Sequence, residues 1–220
     1  MSKVEPCADF HFPNACIQIF TKAPIKGQVK TRLGESLSAE QIIKLYKKML
    51  NEVITTALEA KVCPVELRVA LDANHEFFLP YIERGVSIKP QCNGDLGHRM
   101  ATAFDEGLNE KEFVIAIGGD CVSIDGDYLL NAAKLLADKK EVVIGPAEDG
   151  GYVLLGMKRF LPDIFQDIPW GSERVLSLSV KKLDLLHINY KLLNLAWDVD
   201  TPEDLHRYME LSGRNKTHWF

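Results

Sequence analysis

The chain has 220 residues, 46% of them hydrophobic, and a net charge of −5, which is enough apolar material for one α/β core and too little positive charge for a nucleic-acid or anionic-membrane surface. No apolar run approaches the roughly 18–20 residues that span a bilayer, and the opening "MSKVEPCADFHFPN" lacks an export-type apolar stretch, so the sequence reads as cytoplasmic. The five cysteines, at 7, 16, 63, 92 and 121, are scattered without a C-x-x-C pair and indicate neither a disulfide framework nor a zinc site.

In chain order, strand-like and helix-like segments alternate. "ACIQIF" (15–20) is the first predicted strand. Ser38 and Gln41 form a capping-box pattern ahead of Ile42, Leu45, Tyr46, Met49, Val53 and Ala57, which are apolar at helical spacing. "VELRVAL" (65–71) and "VSIKP" (86–90) read as strands, 97–109 as a helix, "FVIAIG" (113–118) as a strand, 127–138 as a helix and "EVVIGP" (141–146) as a strand. "GYVLLGM" (151–157) follows too soon for a helical crossover, so an antiparallel or bulged arrangement is expected there. A helix near 172–183 and a strand near 188–195 precede "TPEDLHRYMEL", where Thr201 caps, Pro202 takes the first helical position and acidic residues fill the first turn. This order predicts an α/β fold with a mostly parallel sheet covered by helices. The single domain is expected over 15–211, with tails at 1–14 and 212–220.

Neither a G-x-G-x-x-G after the first strand nor a G-x-x-x-x-G-K-[ST] is present. Instead, Lys22, Lys26, Lys30 and Arg32 crowd into one short loop, with Pro24 and Gly27 to shape it. Such a loop at the carboxyl end of a strand suits a phosphorylated ligand, and otherwise is a solvated basic surface. In "NGDLGHRM" (93–100), Asp95 and Arg99 flank a turn into a helix whose amides meet a nucleotide, or else form a cap and a surface ion pair. "GPAEDGGYVLLG" (145–156) sets Asp149 before paired glycines, as a ligand-facing carboxylate or as a hairpin turn. "PWGSERV" (169–175) offers an aromatic shelf before Ser172 and Glu173, or a core tryptophan with a capping serine. "WDVDTPEDL" (197–205) places Asp198 and Asp200 on one side if extended, or leaves Asp200 to cap the last helix. "VIAIGGDCVSIDG" (114–126) ends a buried strand in two glycines and Asp120, a turn or a cation ligand.

The ordered series "IFTKAPIKGQVKTRLG", "GDLGHRM", "AIGGDCVSI", "GPAEDGGYVLLG", "PWGSERV" and "DVDTPEDL" resembles a small family of bacterial glycosyltransferase-like proteins of the GT-A fold, the nucleotide-diphospho-sugar transferase superfamily. Some members occur beside radical-SAM and arsenosugar biosynthesis proteins. More remotely, the first and last motifs are similar to those of sugar-nucleotide cytidylyltransferases and phospholactate guanylyltransferases. The resemblance implies a three-layer α/β/α sandwich with a mostly parallel sheet, that Asp120 holds a divalent cation on the nucleotide phosphates, that Asp200 is the second metal-ligand aspartate, and that loop 22–32 covers the nucleotide. The residue two after Asp120 is Val122, so the D-x-D of many glycosyltransferases is reduced here to one carboxylate, and "TKAPIKG" replaces the Gly-Gly start of nucleotidyltransferases.

A nucleotide leaving group gathers negative charge as its bond breaks, and an oxygen-ligated Mg²⁺ or Mn²⁺ with Lys or Arg alongside stabilises that charge. An acceptor hydroxyl needs a base, for which Asp149 is the first choice and Glu173 the second. The leading expectation is therefore a metal-dependent glycosyltransferase using a nucleotide-diphospho-sugar and a small acceptor. Two others stand beside it: a cytidylyl- or guanylyltransferase acting on a phosphorylated small molecule, and a non-catalytic nucleotide-binding protein.

Overall fold

The structure is a computed structural model that describes residues 9–211. Seven strands form one sheet: β1 (Cys16–Lys22), β2 (Val65–Ala70), β3 (Ser87–Pro90), β4 (Val114–Gly118), β5 (Val142–Pro146), β6 (Tyr152–Met157) and β7 (Tyr190–Leu192). Six α-helices accompany them: α1 (Ala39–Glu59), α2 (Leu79–Glu83), α3 (Leu96–Leu108), α4 (Gly126–Asp138), α5 (Val175–Leu185) and α6 (Pro202–Leu211). The strand order is β3-β2-β1-β4-β6-β5-β7, and β6 alone runs antiparallel to its neighbours. The antiparallel arrangement expected at 151–157 is present, with a register shift at Gly145/Pro146.

Residues alternate across each strand, so the sheet feeds two cores. Ile115 and Ile117 of β4 pack with Ile17 and Ile19 of β1 against α1, α4 and α6, where Met49, Leu129 and Leu205 are buried. Val114 and Ala116 face the other way, toward Met100 and Phe104 of α3, Leu183 of α5 and the 3₁₀ turn Pro162–Phe165. This is the three-layer α/β/α sandwich that the family resemblance implies, with the mostly parallel sheet that the alternating segments predict.

The local signals at the helix starts hold in detail. Ser38 Oγ accepts from Gln41 N–H, and the Gln41 side chain accepts from Ser38 N–H, which closes the capping box of α1. At α6, Thr201 N–H and Oγ1–H donate to Asp204 Oδ2, at 2.8 Å each, and Thr201 Oγ1 accepts from Asp204 N–H. The helix expected at 172–183 starts three residues later, and the last strand is the short 190–192. Between β2 and β3 the sequence reading has no helix, whereas the structure has a 3₁₀ turn at Glu76–Phe78 running into α2, fixed by ring contacts among Phe77, Phe78 and Tyr81.

The described part of the expected 1–14 tail is docked. His11 and Phe12 N–H groups donate to Lys61 and Val62 carbonyls, and Phe12 packs edge-on against Phe113. The expected tail at 212–220 and Cys7 lie outside the described residues. Among the described residues no helix is long and apolar enough to cross a membrane.

Candidate active site

The parallel strands all present their carboxyl ends at one edge, and antiparallel β6 begins there. The basic loop leaves β1 at this edge and is anchored by buried apolar residues: Ala23, Pro24, Val29 and Leu33 sit inside, Gly27 takes φ +76 at the turn, and Lys26 pairs with Glu40. Lys30 adopts a left-handed backbone, φ 45 and ψ 43, unusual for a residue with a side chain. That bend turns its ammonium inward, where the side chain is only 6% exposed.

Lys30 Nζ lies 2.5 Å from Asp120 Oδ2 and 3.3 Å from Asp200 Oδ1, and Arg32 caps Asp200 Oδ2 from outside. The two aspartates, one just after β4 and one just before α6, therefore converge on a single cationic position. Burial works against the Lys30 charge, but Asp120 and then Asp200 outweigh it and hold the ammonium above its ordinary range. For Asp200, burial is outweighed in the same way by Lys30 and Arg32, and its carboxyl is lowered.

Asp198 and Asp149 join this group. A bridge between Ala147 and Ala196 lays the segment before α6 alongside the end of β5, and Ser123 Oγ accepts from Trp197 N–H at 2.9 Å. Asp198 is thereby directed into the cleft, where burial, followed by the Asp120 charge, pushes its carboxyl up to about 6. Asp149 lines the same cleft, with Oδ1 held by Gly151 N–H at 2.9 Å. Cys121 also lines it, but burial, with help from Asp120, raises its thiol far enough to keep it protonated.

The cleft, about 220 Å³, has an apolar wall beside the carboxylates, formed by Phe20, Met100, Tyr152, Leu155, Trp170 and Val175. Trp170 stacks on Phe165 at 6.3 Å and meets Tyr152 edge-on at 6.2 Å. A side chain at Gly97 would collide with the Trp170 indole, so the glycine is what lets the ring lie on the start of α3. The tryptophan is thus a half-buried cleft wall, the shelf rather than the core alternative.

Of the residues singled out in the sequence, the fold unites Lys30, Arg32, Asp120, Asp149 and Asp200. Pro24 and Gly27 shape the loop. Lys22 ends β1 with an exposed side chain, while its backbone is held by the Tyr46 hydroxyl. Asp95 caps α3 by accepting from His98 N–H at 2.8 Å, and Arg99 Nε–H donates to Gly94 O, so both take their local helix-start roles. Glu173 is exposed and outside the cleft lining; its backbone instead packs on Gly150, φ +86, so closely that it leaves no room there for a Cβ. Asp198 and Trp170 are two of the cleft members to which the sequence reading assigns no catalytic, nucleotide-binding or metal role. The D-x-D spacing of 198 and 200 was the available signal for the first, and the Gly-flanked "PWG" for the second.

With this geometry in view, the relatives become informative. The pattern of the family DUF2064, described as "Uncharacterized protein conserved in bacteria", matches residues 53–172. The chain belongs to this family. The chain is also 29% identical over 191 residues to the 2-phospho-L-lactate guanylyltransferase of Methanocaldococcus jannaschii, covering 85% of this chain and 79% of the relative. Among solved structures it is similar to a Desulfovibrio desulfuricans G20 protein assigned as a nucleotide-diphospho-sugar transferase, with TM-score 0.81, 27% identity and coverage of 94% and 90%. A CMP:2-keto-3-deoxy-manno-octonic acid synthetase complexed with CTP matches at TM-score 0.60 and 14% identity, covering 91% of this chain and 98% of that one, a likeness of fold. The fold of this family member is thus of the nucleotide-diphospho-sugar transferase type.

Proposed function

We propose that the chain is a metal-assisted nucleotidyltransferase, which joins the nucleoside monophosphate part of a nucleoside triphosphate to a small acceptor and releases pyrophosphate. The observation that carries this reading is the convergence of Asp120 and Asp200 on one cationic position under a basic loop at the carboxyl edge of the sheet. Similarity to a guanylyltransferase over most of both chains favours nucleotidyl transfer over the glycosyl transfer that the motif resemblance put first.

The donor set fits Mg²⁺ or Mn²⁺. Its atoms are hard carboxylate oxygens, the nearby thiol is protonated, and no three Asp, Glu, His or Cys side chains gather into a complete cage among the described residues. Sites that bind Mg²⁺ together with a nucleotide commonly supply one or two carboxylates and leave the remaining positions to phosphate oxygens and water. Asp120 and Asp200 would hold the ion, which when bound neutralises charge on the phosphates and on the departing pyrophosphate. Lys30 and Arg32 supply cationic N–H donors to the same phosphates. An acceptor oxygen bonds to the α-phosphorus while the bond to the bridging oxygen breaks, and pyrophosphate leaves with that electron pair. If the acceptor is a hydroxyl, Asp149, oriented by Gly151 N–H, takes its proton.

The test is product identity with a panel of nucleoside triphosphates and nucleotide sugars in Mg²⁺ and in Mn²⁺. Pyrophosphate supports this reading, free nucleoside diphosphate returns the chain to glycosyl transfer, and metal-dependent binding without product makes it a binding protein. Asp120→Asn and Asp200→Asn should each abolish metal-dependent nucleotide binding, and the double variant should lose little more, because groups acting as a unit are not additive.

A further inference from the structure

The composition of the cleft bears on its second substrate. Its lining combines Asp120, Asp149 and Asp198 with an aromatic and aliphatic wall, and among the described residues no lysine, arginine or histidine lines it. The nearest cations in the loop, Lys30 and Arg32, are committed to Asp120 and Asp200. A cation bound at Asp120 and Asp200 would still leave Asp149 and Asp198 facing the acceptor. Recognition of a phosphate or carboxylate needs converging cationic or N–H donors, and like charges face to face oppose binding.

The apolar wall is built rather than incidental. Trp170 is clamped by Phe165, Tyr152 and the bare Gly97 backbone, and Phe165 in turn stacks near Phe160. An aromatic surface already fixed in place loses little side-chain freedom when a ligand packs on it. An apolar cavity of about 150 Å³ holds a benzene ring. The cleft, at about 220 Å³, has room for a ring-sized body and a short polar arm.

We propose that the acceptor is an uncharged small molecule with an apolar, ring-sized body and a hydroxyl, because the cavity joins an aromatic wall to Asp149 and Asp198 with no cationic side chain in its described lining, and that it discriminates against phosphorylated and carboxylated acceptors. The claim about chemistry rests on the nucleotidyltransferase reading. In the transfer the acceptor oxygen bonds to the α-phosphorus, the bond to the bridging oxygen breaks with its electrons going to pyrophosphate, and the hydroxyl proton passes to Asp149. The molecule thereby departs from the acceptor in its relative's name, 2-phospho-L-lactate, which carries two anionic groups.

The experiment is ligand-observed NMR titration of the full chain, without nucleotide, using benzyl alcohol and benzyl phosphate as a matched pair. Benzyl alcohol should bind at least about tenfold more tightly than its phosphate. Asp149→Asn should narrow that ratio by raising affinity for the phosphate alone, and Trp170→Ala, or Trp170→Leu if the alanine variant does not fold, should weaken the alcohol. Equal or tighter binding of benzyl phosphate, or no detectable binding of the alcohol, overturns the proposal. Failure of the nucleotidyltransferase reading appears elsewhere, as absence of pyrophosphate release while the contrast between the two probes persists.

Discussion

Two clusters of charge lie on this sheet, and they differ in balance. Beneath α3, Arg68 and Lys89 meet Glu66 and Glu106, so two cations answer two carboxylates, and Gln18 Nε2–H donates to Glu66 Oε1 at 3.0 Å. At the carboxyl edge, Lys30 and Arg32 face Asp120, Asp149, Asp198 and Asp200, so two cations answer four carboxylates. In the first cluster Arg68, 2% exposed, and Glu66 are buried while Lys89 and Glu106 reach solvent, and its charges balance. The second carries excess negative charge and opens on a cleft. Burial alone does not mark a functional site; an uncompensated charge at the edge where loops meet does.

Breaking the balanced cluster should have the largest effect. Arg68→Met removes the buried cation of Glu66 and leaves it with Lys89 and Gln18 alone, and loss of one partner of a buried pair costs about 3–5 kcal/mol. Chemical denaturation should show that loss, while nucleotide affinity per folded molecule stays near wild type.

The next effect is a pH dependence at the unbalanced site. The folded-state carboxyl of Asp198, at about 6, lies above its ordinary value of 3.8, so the folded state holds the proton more tightly than the unfolded chain. Stability present at acid pH is therefore lost as pH rises through that window, by about 1–3 kcal/mol. Asp198→Asn should remove this loss, and urea titrations at pH 4.5, 6 and 8 should show the variant gaining on wild type as pH rises.

Lys30→Met should cost less, about 1–2 kcal/mol, because the freed aspartates are partly open to water. Its distinguishing mark is rescue. Mn²⁺ should raise the melting temperature of the variant more than that of wild type, and an equal response would separate Lys30 from the metal position. Arg32→Ala, on a side chain 71% exposed, should leave the melting temperature within about 1 °C and weaken nucleotide binding about tenfold.

What the sequence made legible was local. The capping patterns at Ser38 and Thr201 need only residues three apart, and the short connection after Pro146 rules out a helical crossover on length alone. Asp120, behind Gly118 and Gly119, was visible for the same reason. The α2 region was not, because five residues give no helical period and Phe77, Phe78 and Tyr81 are held by tertiary ring contacts. Nor does any short-range pattern say that β6 slips between β4 and β5. The ligand-like pairing of Lys30 with two aspartates joins residues 90 and 170 positions apart, so spacing named the members and the fold alone joined them. Asp198 enters the cleft because Ser123 and the Ala147–Ala196 bridge fix the strand beside it, a register that an isolated "DVD" does not encode.

The fastening of the 147–151 turn to α5 has a mechanical consequence. Gly150 O accepts from Leu176 N–H at 2.9 Å, and the bare Gly150 backbone rests on that of Glu173. The carboxylate of Asp149 and the segment from Ser172 to Val175 are therefore one stiff body, joined main chain to main chain. Any breathing that widens the mouth must swing this body whole or arise on the opposite bank, in the loop bearing Lys30.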